Sequence, residues 1–191
     1  MNLYFLVEGL RTEKQVYRRW VEHVFPSLSQ VQNVAEMTAN SWYIISGYGI
    51  PSYKRRIRDA LEDIKDNPAV DHFFICIDAE EDSYEARFTE VEAEVRKWET
   101  ETRVRDRNPS FRIHIIVQNC CVETWFLGHA RMMRRTPSSA VLAEYKRFYD
   151  VREDDPEHMG TFRGFTTRAD FHLKYLQEML LEQSPELRYS K

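Results

Sequence analysis

The chain has no long apolar run. Nothing in its 191 residues approaches the roughly eighteen consecutive apolar residues that a membrane helix needs, so no membrane span is expected. The opening Met-Asn-Leu-Tyr-Phe-Leu-Val-Glu-Gly lacks a basic first region and a small-residue cleavage site, so no secretory signal is expected. Cysteine is scarce, with only Cys76, Cys120 and Cys121. One lies inside an apolar run and the other two are adjacent, which reads as three reduced thiols of a cytoplasmic protein rather than a disulfide framework. No Cys/His spacing resembles a zinc site. A Gly-rich loop ending in Gly-Lys-Ser/Thr is missing, which excludes a self-contained P-loop NTPase. A Gly-x-Ser-x-Gly nucleophile elbow is missing too. There is no internal repeat and no low-complexity tract. Net charge is −4, which argues against a protein that coats nucleic acid by bulk electrostatics.

What is present suffices for a substantial core. Hydrophobic residues make up 42% and aromatics 13%, enough for one domain or one domain with a helical appendage. The charge is unevenly spread. Residues 76–101 hold ten acids against three bases, and residues 103–135 hold seven bases against two acids. Such asymmetry can set an acidic metal site beside a basic phosphate-binding surface, or can simply mark two solvated helix faces.

Strand-like and helix-like segments alternate. Leu3–Val7 reads as a first strand. Thr12-Glu13-Lys14-Gln15 then reads as a capping box with Thr12 as N-cap, followed by Val16, Trp20 and Val24 with Tyr17 and Val21 at helical spacing. Residues 27–40 are polar and irregular. Ser41–Ser46 is a second strand, closed by Gly47-Tyr48-Gly49, and Pro51 suits the first turn of the next helix. Tyr53, Ile57, Ala60, Leu61 and Ile64 give that helix one apolar face. His72–Ile77 is a third strand, and Phe88, Val91, Val95 and Trp98 mark the stripe of the helix after it. Residues 103–110 form a basic loop, Phe111–Val117 a fourth strand, and Asn119 can cap a helix carrying Glu123, Trp125 and Phe126. Strands alternating with helices imply right-handed crossovers and a mostly parallel sheet covered on both faces. The expectation is an α/β core over residues 1–135 with about four strands. Residues 136–191 are expected to form a helical extension, with helices at 138–149 and 167–182.

Two acidic segments sit where apolar runs stop. Val7-Glu8-Gly9-Leu10-Arg11-Thr12-Glu13 follows the first strand, and Ile77-Asp78-Ala79-Glu80-Glu81-Asp82 follows the third. The carboxyl ends of strands are where open α/β sheets place their chemistry. Carboxylates gathered there repel unless a cation or proton intervenes, and a hard divalent cation such as Mg²⁺ prefers oxygen ligands. Gly9 permits a sharp turn after Glu8 and a close backbone approach to a ligand. Asp78 and Glu80 face one side if the strand geometry continues. Glu13, Glu81 and Asp82 equally suit helix N-termini, where negative charge is favourable.

Glu8-Gly-x-x-Thr12-Glu13 after the first strand, with Asp78-x-Glu80 after the third, resembles the TOPRIM domain of topoisomerases, bacterial primases, ribosomal RNA maturases and OLD-family nucleases. Asn119-Cys-Cys-Val-Glu123-Thr-Trp125-Phe-Leu-Gly-His129 is similar to the Asn-Pro-x-Phe-Glu-x-Trp-Leu-Leu-x-His segment of RloB-like proteins. Those are small stand-alone TOPRIM-like proteins that accompany ATPases in bacterial phage-defence neighbourhoods. Together the matches span residues 3–130. The resemblance implies a Rossmann-like TOPRIM core, with Glu8 as metal ligand or general acid/base and Asp78 as a Mg²⁺ ligand. Glu80 stands where the family has a second aspartate, and Asp82 is a candidate replacement ligand. Glu13 and Glu123 are implied in support, Glu123 steadying the metal site or orienting a basic residue.

The leading expectation is therefore a Mg²⁺- or Mn²⁺-dependent nuclease, or nuclease subunit, acting on DNA or RNA. Catalysis would fall to Glu8, Asp78 and Glu80, and Arg103, Arg105, Arg131, Arg135 and Lys54 would hold phosphates. No tyrosine can be assigned as a covalent nucleophile, so strand passage is unsupported. The alternative is a catalytically weak TOPRIM-like module that partners an ATPase or a nucleic acid. A third reading puts small-molecule phosphotransfer at the same acids.

Overall fold

The computed structural model describes residues 1–49 and 52–189; Pro51 lies outside the described residues. The chain forms two compact units. The first comprises Met1–Ile77 with Glu85–Val117, and the second Asp78–Tyr84 with Gln118–Lys191.

A five-stranded sheet runs in the order β2-β3-β1-β4-β5, where β1 is Leu3–Val7, β2 Ser29–Gln30, β3 Ser41–Ser46, β4 His72–Asp78 and β5 Arg112–Gln118. β1 pairs in parallel with both β3 and β4, and β2 pairs in parallel with β3. The central strand reads Leu-Tyr-Phe-Leu-Val and is buried at every position, as a strand covered on both faces must be. The two-residue β2 lies within the stretch expected to be irregular. It is an edge strand with no apolar alternation, so its sequence carries no strand signal.

Helices α1 (Thr12–Val24), α2 (Ser52–Asp66) and α3 (Tyr84–Thr102) connect the strands, with a short α4 (Val104–Arg107) inside the stretch expected to be a basic loop. All five apolar residues named for α2 are buried. In α1 the buried stripe is Glu13, Tyr17 and Val21, while Trp20 and Val24 are exposed. The Thr12 capping box does not form. Thr12 is the first helical residue, and Arg11 occupies the N-cap with no side-chain bond. Leu3, Phe5, Val7, Tyr17, Val21, Trp42, Ile44 and Cys76 form one core cluster of this unit. Each large apolar side chain there contributes about 1.5–3 kcal/mol through burial.

In the second unit, α5 (Val122–Leu127), α6 (Ala140–Phe148) and α7 (Arg168–Gln183) surround an aromatic core. Phe171 is fully buried and meets the rings of Tyr145, Phe148, Phe162, Phe165 and Tyr175. Ser139 and Thr167 cap α6 and α7 through their hydroxyls, the arrangement such residues favour. Asn119 does not cap α5. Cys121 holds that position, and the Asn119 amide donates instead to the Glu157 carbonyl. Among the described residues no helix is long and apolar enough to cross a membrane.

Candidate functional site

In the first unit, the segment after β1 is fixed by its own backbone. The Glu8 carbonyl accepts from Ser46 Oγ at 3.3 Å and from the Gly49 N–H at 3.4 Å. The Val7 carbonyl accepts from the Gly47 N–H at 2.7 Å. Glu8 is half-buried and Glu13 is buried at 7% exposure. The Glu13 carboxylate turns back over Gly9, where an added β-carbon would lie 1.8 Å from Oε2. The glycine therefore makes room for the Glu13 carboxylate against the residue that follows Glu8. Gly47 is equally constrained, since a β-carbon there would sit 2.1 Å from the ring of Tyr53. That ring is fully buried and its hydroxyl donates to the Cys76 carbonyl at 3.0 Å.

β1 and β4 run side by side with Val7 opposite Cys76. Glu8 is the residue after β1, and Asp78 is the last residue of β4. Asp78 is 2% exposed.

Within the second unit the acidic segment turns sharply. The Ala79 N–H donates to the Gln118 carbonyl at 2.9 Å and the Glu80 N–H to the Cys120 carbonyl at 2.8 Å. Glu80 has φ +54°, a left-handed conformation that costs a non-glycine residue about 1–2 kcal/mol. The extended geometry therefore stops at Asp78, and the strand alternation expected to align Asp78 with Glu80 does not continue. Arg168 clasps the turn. Its guanidinium donates to the Glu80 carbonyl at 2.5 Å and the Asp82 carbonyl at 3.2 Å, and its backbone N–H donates to Glu81 Oε1 at 2.7 Å. No sequence signal ties Arg168 to the turn, because a long stretch of chain separates them. Glu81 and Asp82 are exposed. Glu123, on α5, is fully buried and accepts from the Tyr189 hydroxyl at 2.8 Å. Trp125 of the same helix donates to Glu157 at 3.0 Å.

Cys120, Cys121 and His172 form a buried group whose potential ligand atoms lie within 4.8 Å of one another. No spacing in the sequence shows it, because His172 comes from α7. Thiolates and imidazole suit Zn²⁺ rather than Mg²⁺. The imidazole, however, is fully engaged. Nε2 donates to the Met159 carbonyl at 3.2 Å, which leaves Nδ1 to accept from the Thr124 hydroxyl at 2.7 Å. Thr124 Oγ1 also accepts from the Cys121 N–H at 3.3 Å. The bond to Cys120 and then burial push the Cys121 thiol well above its ordinary range, and burial pulls His172 down to about 4. A neutral Cys121 thiol beside a neutral imidazole with both nitrogens hydrogen-bonded makes a satisfied polar core.

The expected phosphate-binding cations have different surroundings. Lys54 pairs with Glu90 at 2.6 Å, and Glu90 also holds Arg87 at 2.5 Å. Arg105 pairs with Glu99 at 2.7 Å, donates to the Phe111 carbonyl and lies 4.2 Å from the centre of the Phe111 ring, so it braces its own loop. Arg103 pairs with Asp106 at 2.6 Å on an exposed surface. The side chains of Arg131 and Arg135 are exposed. Of the cations on α2, Arg58 lies over Trp98 and Arg56 over Tyr48. Arg55 is exposed with no ion pair among the described residues.

No protein-family model, curated protein or solved structure matches the chain.

Proposed function

We propose that the chain is a Mg²⁺-dependent phosphodiester-handling enzyme, a nuclease or nuclease subunit acting on DNA or RNA, of the TOPRIM kind that residues 3–130 resemble. The observation that carries this reading is the strand order. After β1 the chain builds β3 on one side of it and β4 on the other. Open α/β sheets bind ligands outside the carboxyl ends of the strands at such a reversal. Glu8 follows β1 there, and Asp78 ends β4.

The donor chemistry of these side chains suits a hard cation. Glu8 and Asp78 offer carboxylate oxygens, the donors Mg²⁺ prefers, and the space over Gly9 already admits the Glu13 carboxylate. When bound, the cation supplies polarisation of a phosphoryl oxygen and a more acidic water. Glu8 and Asp78 would hold it, Glu80 and Asp82 would add oxygens from the turn, and Glu13 would support Glu8. Glu123, steadied by Tyr189, orients the segment after β5. The setting this reading implies is the bacterial cytoplasm, in phage defence, beside an ATPase partner. The left-handed turn at Glu80 favours a second reading, a catalytically weak module that works through that partner.

Calorimetric titration of Mg²⁺ and Mn²⁺ into the wild type, Glu8→Ala and Asp78→Ala, with DNA and RNA cleavage assayed in the same buffers, tests both readings. Metal binding and cleavage lost together in the two variants is the expected result. Cleavage that survives both substitutions overturns the assignment. Metal binding without cleavage moves the weight to the partner-dependent module.

A further inference from the structure

Beside the segment that carries Glu8, the loop after β3 presents an aromatic ring to solvent. Tyr48 is 56% exposed and sits at φ +60°, where a bulky side chain is strained. Its N–H is held by Ser46 Oγ at 3.2 Å, and Ser46 Oγ donates in turn to the Glu8 carbonyl. The ring is thus built into position outside the core. Arg56 places its guanidinium carbon 5.2 Å from the ring centre, a cation–π contact.

Tyr48 and Arg56 are shared by two cavities. One, of about 520 Å³, is lined by Tyr48, Ser52, Arg55, Arg56 and Asp59. The other, of about 320 Å³, includes Lys14, Gln30, Gln32 and Ser46 beside the same pair. Both are of a size that admits a small-molecule-sized group. Asp59 is the only acid among these lining residues, and it is already within 3.5 Å of Arg56. Arg55 and Lys14 are left facing the two cavities with no ion pair among the described residues.

We infer that this groove is a single-stranded nucleic-acid site, in which a base stacks on Tyr48 and the flanking phosphates meet Arg55 and Arg56 on one side and Lys14 on the other. The inference rests on the phosphodiester reading above and names its substrate class. An aromatic platform flanked by cations is how proteins hold unpaired strands regardless of sequence. A duplex keeps its bases stacked on one another and cannot offer one to the ring. Two cavities sharing one ring and one guanidinium match the repeat of a strand better than a lone nucleotide, which needs only one. The amides of Gln30 and Gln32 supply donors and acceptors for base edges.

The test uses the full chain and fluorescent oligonucleotides of about twelve nucleotides, the reach of such sites. DNA and RNA single strands and a matching duplex are compared in EDTA, where no divalent metal can act. Single strands should bind more tightly than the duplex. Tyr48→Ala should weaken single-strand binding about tenfold, and Tyr48→Phe should stay within about twofold of the wild type. Arg55→Ala should lower the steepness of the salt dependence by roughly one phosphate contact, while Arg19→Ala, an exposed cation on α1, should not. Tyr48→Ala binding like the wild type, equal affinity for duplex, or equal losses in Arg55→Ala and Arg19→Ala would each overturn the inference.

Glu8→Gln and Asp78→Asn separate this inference from the metal reading. They should retain strand binding in EDTA. If binding follows Tyr48 but no divalent metal supports cleavage, the groove stands and the metal reading falls. If cleavage needs Glu8 and Asp78 but Tyr48→Ala changes neither binding nor KM, the groove falls and the metal reading stands.

Discussion

The Glu13 carboxylate occupies the space where Gly9 would carry a β-carbon: that carbon would lie 1.8 Å from Oε2 and 2.5 Å from Oε1. Gly9 therefore does more than permit a turn. It lets a buried acid of α1 fold back over the chain at the residue after Glu8, and no other residue type leaves that space open.

Gly9→Ala should displace Glu13. The obstacle is the far end of a flexible side chain, so the stability loss should fall near the low end of the roughly 1–3 kcal/mol typical of overpacking. Mg²⁺ affinity should fall by more than that loss suggests, by about 10–100-fold, as when groups supporting a metal ligand are disturbed. Calorimetry and chemical denaturation on Gly9→Ala, Glu13→Ala and the double variant would check this. Once Glu13 is truncated, Gly9→Ala should cost almost nothing more in stability. A full additive cost would show that the clash lies elsewhere.

A second prediction separates stability from function at Glu80, whose φ of +54° suits glycine. Glu80→Gly should be more stable than Glu80→Ala by about 1 kcal/mol, because only glycine occupies that region without a β-carbon penalty. Both variants should bind Mg²⁺ less tightly than the wild type. Denaturant midpoints and metal titrations of the pair are sufficient. Equal stabilities would mean that the turn relaxes on substitution.

Much of the fold was legible because burial on both faces writes continuous apolar strands. Leu3–Val7 and Ser41–Ser46 have the bounds that their sequences indicate, and α2 buries the five apolar residues named for it. What failed was local chemistry overruled by packing. Thr12 and Gln15 have the letters of a capping box, but the helix begins one residue earlier than that motif requires. Its inward stripe, set by packing against the sheet, runs through Glu13, Tyr17 and Val21. A buried glutamate on an apolar stripe cannot be expected from periodicity alone. At the candidate site, the positions of Glu8 and Asp78 at strand ends were readable from where the apolar runs stop. The reversal of strand order about β1 was not, since pairing is non-local. At Glu80 the alternation has ended with the strand at Asp78, and nothing in Asp-Ala-Glu-Glu-Asp signals a left-handed residue. Lys54 and Arg105 read as free cations because Glu90 and Glu99 lie on another helix or turn of the chain. Gly47-Tyr48-Gly49 reads only as the turn that closes a strand, and nothing in those three letters places the Tyr48 ring outside the core.

A third prediction follows from His172, which is fully buried in the second unit. Its Nε2–H donates to Met159 and its Nδ1 accepts from Thr124, so the folded form holds the neutral ring. Burial lowers its pKa to about 4 from the usual 6.5; Arg168 lowers it further, while the Met159 carbonyl and the charges of Glu81 and Glu123 oppose the shift. Above pH 6.5 the ring is neutral in both the folded and unfolded chains, and His172 adds no pH dependence. Between 6.5 and about 4 the unfolded chain takes up a proton that the folded chain refuses, so stability falls as pH falls. Below about 4 both forms are protonated and the loss levels off. One pKa unit corresponds to about 1.4 kcal/mol, so the whole window amounts to about 3 kcal/mol, most of it spent by pH 5. His172→Gln keeps a donor and an acceptor but cannot titrate. Urea unfolding at pH 7 and pH 5 should show the wild type losing about 2 kcal/mol more than His172→Gln over that interval. Equal losses would mean that the imidazole is protonated in the folded chain. The Thr124 hydroxyl would then have to turn away from Nδ1, and the polar core that joins α5 to α7 would be organised around a charge.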